Sequence, residues 1–224
     1  KMVNKTKGVD NILESAVNFY GPDVTIDDVT NFYNSKTQPD PSKPLSYGLN
    51  SKLVKVNGEL KELVYKEDGL YGDAISEIIK WLNKAADVAE NEPQEKALRI
   101  LVDYYKTGDL KTWDDYCVAW TKATNGNIDY INGFIEVYND PIGFRGSYEN
   151  IVQINDFDMS RKMSVLSENA QWFEDNTTLM EEHKKAKVVG VSYKTVNVAG
   201  ESGDASPSTP IGVNLPNANW IRAN

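Results

Sequence analysis

The sequence predicts an α+β fold, mostly helical with a small mixed or antiparallel sheet. Three observations carry that expectation. Apolar residues recur at helical spacing from Tyr71 to Thr124, an Asn57-Gly58 turn separates two apolar stretches, and Val188 to Val198 alternates and is rich in β-branched residues. With 224 residues, 40% of them hydrophobic and 10% aromatic, the chain is long and apolar enough to bury a core.

From the N-terminus, Ile12, Leu13, Ala16, Val17 and Tyr20 form a helical stripe that Gly21-Pro22 ends. Thr25 caps the next helix. Asp28 completes its capping box, and Val29, Phe32 and Tyr33 supply its buried face. Gln38 to Pro44 is a proline-rich connector, and Leu45 to Val56 with Glu59 to Tyr65 forms a β-hairpin about Asn57-Gly58. Three helices follow. Ile75, Ile78, Ile79, Leu82 and Ala86 line one, and Ala97, Leu98, Leu101, Val102 and Tyr105 line the second, with Pro93 in its first turn and Gly108 beyond its last. Trp113, Tyr116, Cys117 and Trp120 line the third. Ile128 to Tyr138 reads as a fourth helix or helix-like segment stopped by Asn139-Asp140-Pro141, whereas Tyr148 to Ile154 fits strand or helix equally. Ser160 to Phe173 is helical, Glu181 to Lys187 is a charged link, Val188 to Val198 is a strand, and Ala199 to Pro210 is a surface loop. No repeat or composition break marks a boundary. The chain therefore reads as a single unit in three regions: helices plus a hairpin over 1–70, a helical region over 71–180, and a strand region over 181–224.

Composition narrows the function classes. A formal charge of −9, with no basic run to offset it locally, repels phosphate backbones, so nucleic acid is not an expected partner. No stretch approaches the ~20 apolar residues of a membrane span, and Lys1 to Asp10 lacks the apolar core of a secretory signal. A cytoplasmic protein with no membrane partner is the expectation. Cys117 is the only cysteine and sits among aromatic residues, which suits a buried, inert thiol. His183, the only histidine, lies in the charged run Glu181 to Lys185 and reads as solvated. One histidine and one cysteine cannot supply the ligands of a zinc site, so no metal is expected in this chain. Asp27-Asp28 and Asp114-Asp115 lack the alternation and central glycine of a calcium loop and read as helix-start charges facing solvent.

The densest group of binding residues lies at Thr209 to Arg222, which reads Thr-Pro-Ile-Gly-Val-Asn-Leu-Pro-Asn-Ala-Asn-Trp-Ile-Arg. Pro216 removes a backbone donor and keeps Leu215 extended, so the segment suits a sheet edge or a strand end. There the backbone of Gly212 to Asn214 stays open to an extended peptide. Asn214 and Asn217 add donors and acceptors beside it, and Gly212 permits close approach. The same residues also fit a turn at Pro216-Asn217 after a structural strand.

Four stretches, in order, carry a resemblance: Leu45 to Val54 (Leu-Ser-Tyr-Gly-Leu-Asn-Ser-Lys-Leu-Val), Asp103 to Asp109 (Asp-Tyr-Tyr-Lys-Thr-Gly-Asp), Gly133 to Pro141 (Gly-Phe-Ile-Glu-Val-Tyr-Asn-Asp-Pro), and Pro210 to Asn217. Together they resemble the region preceding the zinc motif in the dipeptidyl peptidase III family, and they cover most of the chain. The resemblance implies a two-lobed fold in which a peptide adds as a strand along one lobe, with zinc held by a His-Glu-x-x-Gly-His helix in the other. This sequence ends before that motif, so the expectation is a portion that binds peptide and is inactive without the zinc lobe. Zinc would belong to the parent, a hydrolase releasing dipeptides from the N-termini of short peptides. The missing lobe is then a partner, and dimerisation through the surface it would cover is possible.

Residue by residue, the resemblance places Gly212 to Asn214 on the peptide-binding edge, Asn214 and Asn217 at the peptide's amino-terminal part, and Arg222 nearby. Asp129 matches an acid that pairs with the free amine, a role that suits a carboxylate facing three donors. One position departs. The family tyrosine two residues after that acid is Ile131 here, and the tyrosine is Tyr130. The rival reading is a non-catalytic peptide-binding or interaction module; a hydrolase built on a carboxylate pair finds no spacing to support it.

Overall fold

The structure, a computed structural model, describes residues 2–189, 194–206 and 214–223. In chain order it comprises α1 (Ile26–Asn34), β1 (Ser51–Val56), β2 (Glu59–Val64), α2 (Gly72–Asp87), α3 (Glu92–Thr107), α4 (Leu110–Lys122), β3 (Ile128–Glu136), β4 (Ser147–Asn155), α5 (Phe157–Glu168), α6 (Ala170–Asp175), a 3-10 turn at Glu181–His183, β5 (Val196–Gly203) and α7 (Asn219–Arg222). The class is α+β, as the sequence predicts, and both sheets are antiparallel. Among the described residues no helix is long and apolar enough to cross a membrane.

Local chemistry sets the helix ends. The Thr25 side chain accepts from the Asp28 amide and the Asp28 carboxylate accepts from the Thr25 amide, closing the predicted capping box. Asn91 caps α3 ahead of Pro93, and Gly108, at φ +70°, ends it in the left-handed region that glycine enters without strain. Asp109 then accepts from the Thr112 amide to start α4. The hairpin forms about Asn57-Gly58 with Val56 opposite Glu59.

Four expectations are corrected. Residues 9–20 form turns rather than a helix, because the Asp10 carboxylate takes up the amides of Ile12, Leu13 and Ile26, a local arrangement that competes with a helical ladder. The stretch expected as a fourth helix is strand β3, so residues 71–180 are not uniformly helical. Its apolar spacing misleads because both faces of the strand are covered: Ile131 to Ile135 are buried without alternation. The last strand, β5, runs over Val196–Gly203 and includes residues expected as loop, while part of the expected strand, residues 190–193, lies outside the described residues. Strand β5 is exposed along most of its length, which is why it carries so few apolar residues.

In the second sheet, strand order is β3-β4-β5, with Ile131 opposite Ile151 and Asn132 opposite Asn150. The free edge of β3 is capped by helical side chains. Trp120 Nε1 donates to the Tyr130 carbonyl (2.9 Å), Gln94 Nε2 donates to the Ile128 carbonyl (2.9 Å), and the Ile128 amide donates to Glu90. Such capping blocks strand addition along that edge. Gly133 allows Trp113 to lie against the strand, since a Cβ there would stand 2.5 Å from the indole. In contrast, α5 and α6 bury none of their residues and leave Phe157, Trp172 and Phe173 exposed.

A buried ion cluster joins the N-terminal core to the sheet. Arg145 is 0% exposed, and its Nη1 donates to the Gly48 carbonyl (2.9 Å) and to Ser51 Oγ (2.7 Å). Its Nε and Nη2 find no hydrogen-bond partner, but the guanidinium lies 5.1 Å from the Tyr20 ring centroid and 5.0 Å from that of Tyr33. Asp140, also 0% exposed, accepts from Tyr20 Oη (2.7 Å) and from the amides of Phe144 and Arg145. Glu62 accepts from Tyr33 Oη (2.6 Å), Ser51 Oγ and Lys36 Nζ. Two cations, Arg145 and Lys36, thus stand within ion-pair distance of Glu62, while Asp140 is held by a tyrosine hydroxyl and backbone amides. Gly48, at φ +88°, is required here because a Cβ would meet Arg145 Nη1 at 2.7 Å.

Replacing Arg145 with methionine removes the buried cation 3.7 Å from Glu62 and leaves the Gly48 carbonyl and Ser51 Oγ without their guanidinium donor. We expect Arg145→Met to lower stability by about 3–5 kcal/mol, read as the shift in a urea unfolding curve.

Candidate functional site

A cavity of ≈570 Å³ lies between α4, β3 and the segment entering α7. Trp113, Tyr116 and Trp120 line it from α4, and Ile131 and Ile135 from β3. Tyr47, Leu49 and Phe144 form a wall that neighbours the Arg145 cluster, while Leu215, Pro216 and Ile221 close the far side. Its size and largely apolar lining suit a small-molecule or peptide side-chain site. The polar groups that reach it include Asp114, Asn132, Glu136 and Asn217.

Asn132 is fixed on both ends of its amide. Its oxygen accepts from Tyr105 Oη, and its nitrogen donates to Asn150 Oδ1 (3.0 Å) and Tyr148 Oη (3.2 Å). Asn217 Nδ2 stands 3.5 Å from Glu136 Oε1 at the rim. Asp114 is only 7% exposed, whereas the adjacent Asp115 points to solvent and pairs with Lys111 at 2.7 Å. Burial, with the charge of Asp115 behind it, pushes the Asp114 carboxyl up to about 7. Burial likewise raises the Cys117 thiol, which makes it a poor nucleophile.

Of the five described residues among the six singled out from the sequence, only Asn217 lines the cavity. Asp129 is exposed at the start of β3 and accepts from the Tyr130 amide (2.8 Å). Tyr130 is half-buried, its hydroxyl enclosed without a hydrogen-bond partner. Successive side chains on a strand point to opposite faces, so the one-residue offset of the tyrosine turns it to the other side of the sheet. Ile131 lines the cavity and Tyr130 does not. Asn214 is exposed and in no regular element, Arg222 is exposed with its guanidinium bonded to Asn219, and Gly212 lies outside the described residues.

The sequence reading missed Asp114 and Glu136 as site residues, and weighed Asn132 only as a stand-in for the family tyrosine. Asp114 was readable in principle, since it lies beside Trp113 and one turn before Cys117, on the border of an apolar helix face.

Comparison with known proteins matches residues 46–224 to the model of Peptidase family M49. The chain belongs to this family. Dipeptidyl peptidase 3 of Dictyostelium discoideum is 26% identical over 219 residues, covering 91% of this chain and 31% of that protein. Dipeptidyl peptidase 3 of Rattus norvegicus is 27% identical over 154 residues, covering 69% of this chain and 20% of that protein. A structure of DPP III from Caldithrix abyssi superposes with a TM-score of 0.71 at 21% identity, over 92% of this chain and 38% of that one. The chain thus spans about a third or less of the curated relatives it matches.

Zinc, which the M49 family implies, finds no fitting donor set here. Among the described residues no group of three His, Cys, Asp or Glu side chains could hold a metal, His183 is exposed, and Cys117 is buried with a raised thiol.

Two buried carboxyls contribute to the pH response of this M49 chain near neutrality. Asp114 and Glu149, the latter raised by burial and by the charges of Glu136 and Asp204, both stand at about 7. The folded state therefore holds these protons more tightly than the unfolded chain. Their contribution is full below the unfolded carboxyl range and is lost as pH rises through about 7. We expect stability to fall by about 2–4 kcal/mol per carboxyl between pH ~4 and ~8, and Asp114→Asn to remove its share, as read by urea unfolding across that range.

Proposed function

We propose that this chain is the substrate-side part of a zinc-dependent dipeptidyl peptidase acting on the N-termini of short peptides. The observation that carries the reading is the M49 match over residues 46–224. The cavity beside β3, with Asn217 at its rim, adds a place for substrate groups. Among the described residues no group of His, Cys, Asp or Glu side chains could hold a metal, and the share of the work we assign to this chain is binding and orientation. Asp129 pairs with the peptide's free amine, and Asn214, Asn217 and Arg222 hold the adjoining backbone, with Gly212 allowing close approach. A carboxylate for the ammonium selects a free N-terminus, and amides that fix the backbone beside it set where cleavage falls. In this reading the zinc ligands are not among the described residues of this chain, which contributes binding without the metal's chemistry.

The test is hydrolysis of a dipeptidyl-arylamide by the M49 protein that carries this chain. Activity is expected to be lost on chelation and restored by zinc. Asp129→Asn and Asn217→Ala are each expected to lower kcat/KM by about tenfold or more. Absence of dipeptide release, or unchanged kinetics in both variants, would overturn the assignment.

A further inference from the structure

The cavity's charge is one-sided. Asp114 and Glu136 reach it, and no lysine, arginine or histidine does so among the described residues. Asp114 is more than nine-tenths buried and makes no hydrogen bond with any described residue, while burial and the charge of the adjacent Asp115 both bear on it. Lys111, the nearest cation along α4, is turned outward to Asp115. Among the described residues the Glu136 side chain bonds only Asn217, at 3.5 Å. A buried carboxylate with no partner is costly, and in a packed interior such groups are paired. Here the missing partner has room to enter, because the acid lines a void of ≈570 Å³.

We propose that this cavity binds an organic cation, an ammonium or guanidinium on an apolar stem such as a lysine or arginine side chain, with Asp114 as its counter-ion. The ion pair supplies a charge-assisted hydrogen bond in a water-poor setting. The faces of Trp113 and Trp120 attract the same charge through their ring quadrupoles. The stem packs on Ile131 and Ile135. An anion would meet two carboxylates, and a neutral apolar ligand would leave Asp114 unpaired. Asp129 is exposed and outside the cavity lining, and because this is the cavity to which the proposed peptidase reading gives substrate groups, the inference deepens that reading.

The experiment is calorimetric titration of this chain with N-acetyl-lysine methylamide, and with the same compound acetylated at Nε to remove the charge. Binding is expected to weaken at least about tenfold on Nε-acetylation and on Asp114→Asn. Asp115→Asn removes the same charge from the exposed neighbour and is expected to leave affinity within about threefold. Urea unfolding checks that each variant folds, and relief of a buried charge makes Asp114→Asn the more stable protein above neutrality. Equal binding of the neutral probe, no effect of Asp114→Asn, or no binding of the charged probe would each overturn the proposal. None of these readouts involves hydrolysis, so an active M49 peptidase that fails them keeps its function and loses only this site.

Discussion

Arg145 is the constraint on which the rest of the structure depends. A guanidinium removed from water needs compensation, and here it comes from parts of the chain far apart in sequence. The Gly48 carbonyl and Ser51 come from the start of the hairpin, Glu62 from β2, Tyr20 from the N-terminal turns and Tyr33 from α1, while Asp140, in the loop between β3 and β4, holds the Arg145 backbone amide. The cluster thereby fixes how the smaller core around Val24 and Val29 meets the larger core around the helices and sheet. Hydrophobic packing alone has no direction and would not specify that join. Hydrogen bonds and charge pairs do, at the cost of desolvation.

The cavity follows from the same constraint. Its wall includes Tyr47 and Leu49 on either side of Gly48, and Gly143 and Phe144 immediately before Arg145. Fixing Gly48 and Arg145 therefore fixes two loops whose side chains shape the space, and Gly146 adds a backbone bond to Leu49 at 2.8 Å. Across the cavity, α4 contributes both the aromatic lining and Asp114. A rigid loop wall facing a helix that carries an unpaired acid is an arrangement that selects by charge as well as by shape.

The three central helices were legible because each buries one face and exposes the other, so period and caps agree with the outcome. Strand β3 was not, because a strand covered on both sides loses the alternation that distinguishes it from a helix. The N-terminal turns were missed for a different reason: Asp10 organises the backbone locally, and apolar spacing does not register that competition. The capping box, the Asn57-Gly58 turn and the buried Cys117 were all visible from neighbouring residues. The site was less visible. Asn217 does line the cavity, but Asp114 was read as a solvent-facing helix charge, since its burial depends on Trp113, Cys117 and distant β3 packing together. Arg145 drew no notice at all, because nothing within ten residues of it in sequence names Gly48, Ser51 or Tyr33 as its partners.

Membership of family M49 accounts for the architecture, and the Arg145 cluster accounts for how this stretch of it holds together as one body with a defined cavity wall. Native-state hydrogen exchange tests that claim most directly. The amides of Arg145 and Gly146 donate to Asp140 and Leu49 within the wall, while those of Leu101 and Val102 report the helical core. If the buried cluster unites the two, all four open with the same free energy as global unfolding. Exchange of Arg145 and Gly146 through a separate opening several kcal/mol easier than that of Leu101 would show that the wall moves on its own and would contradict the account.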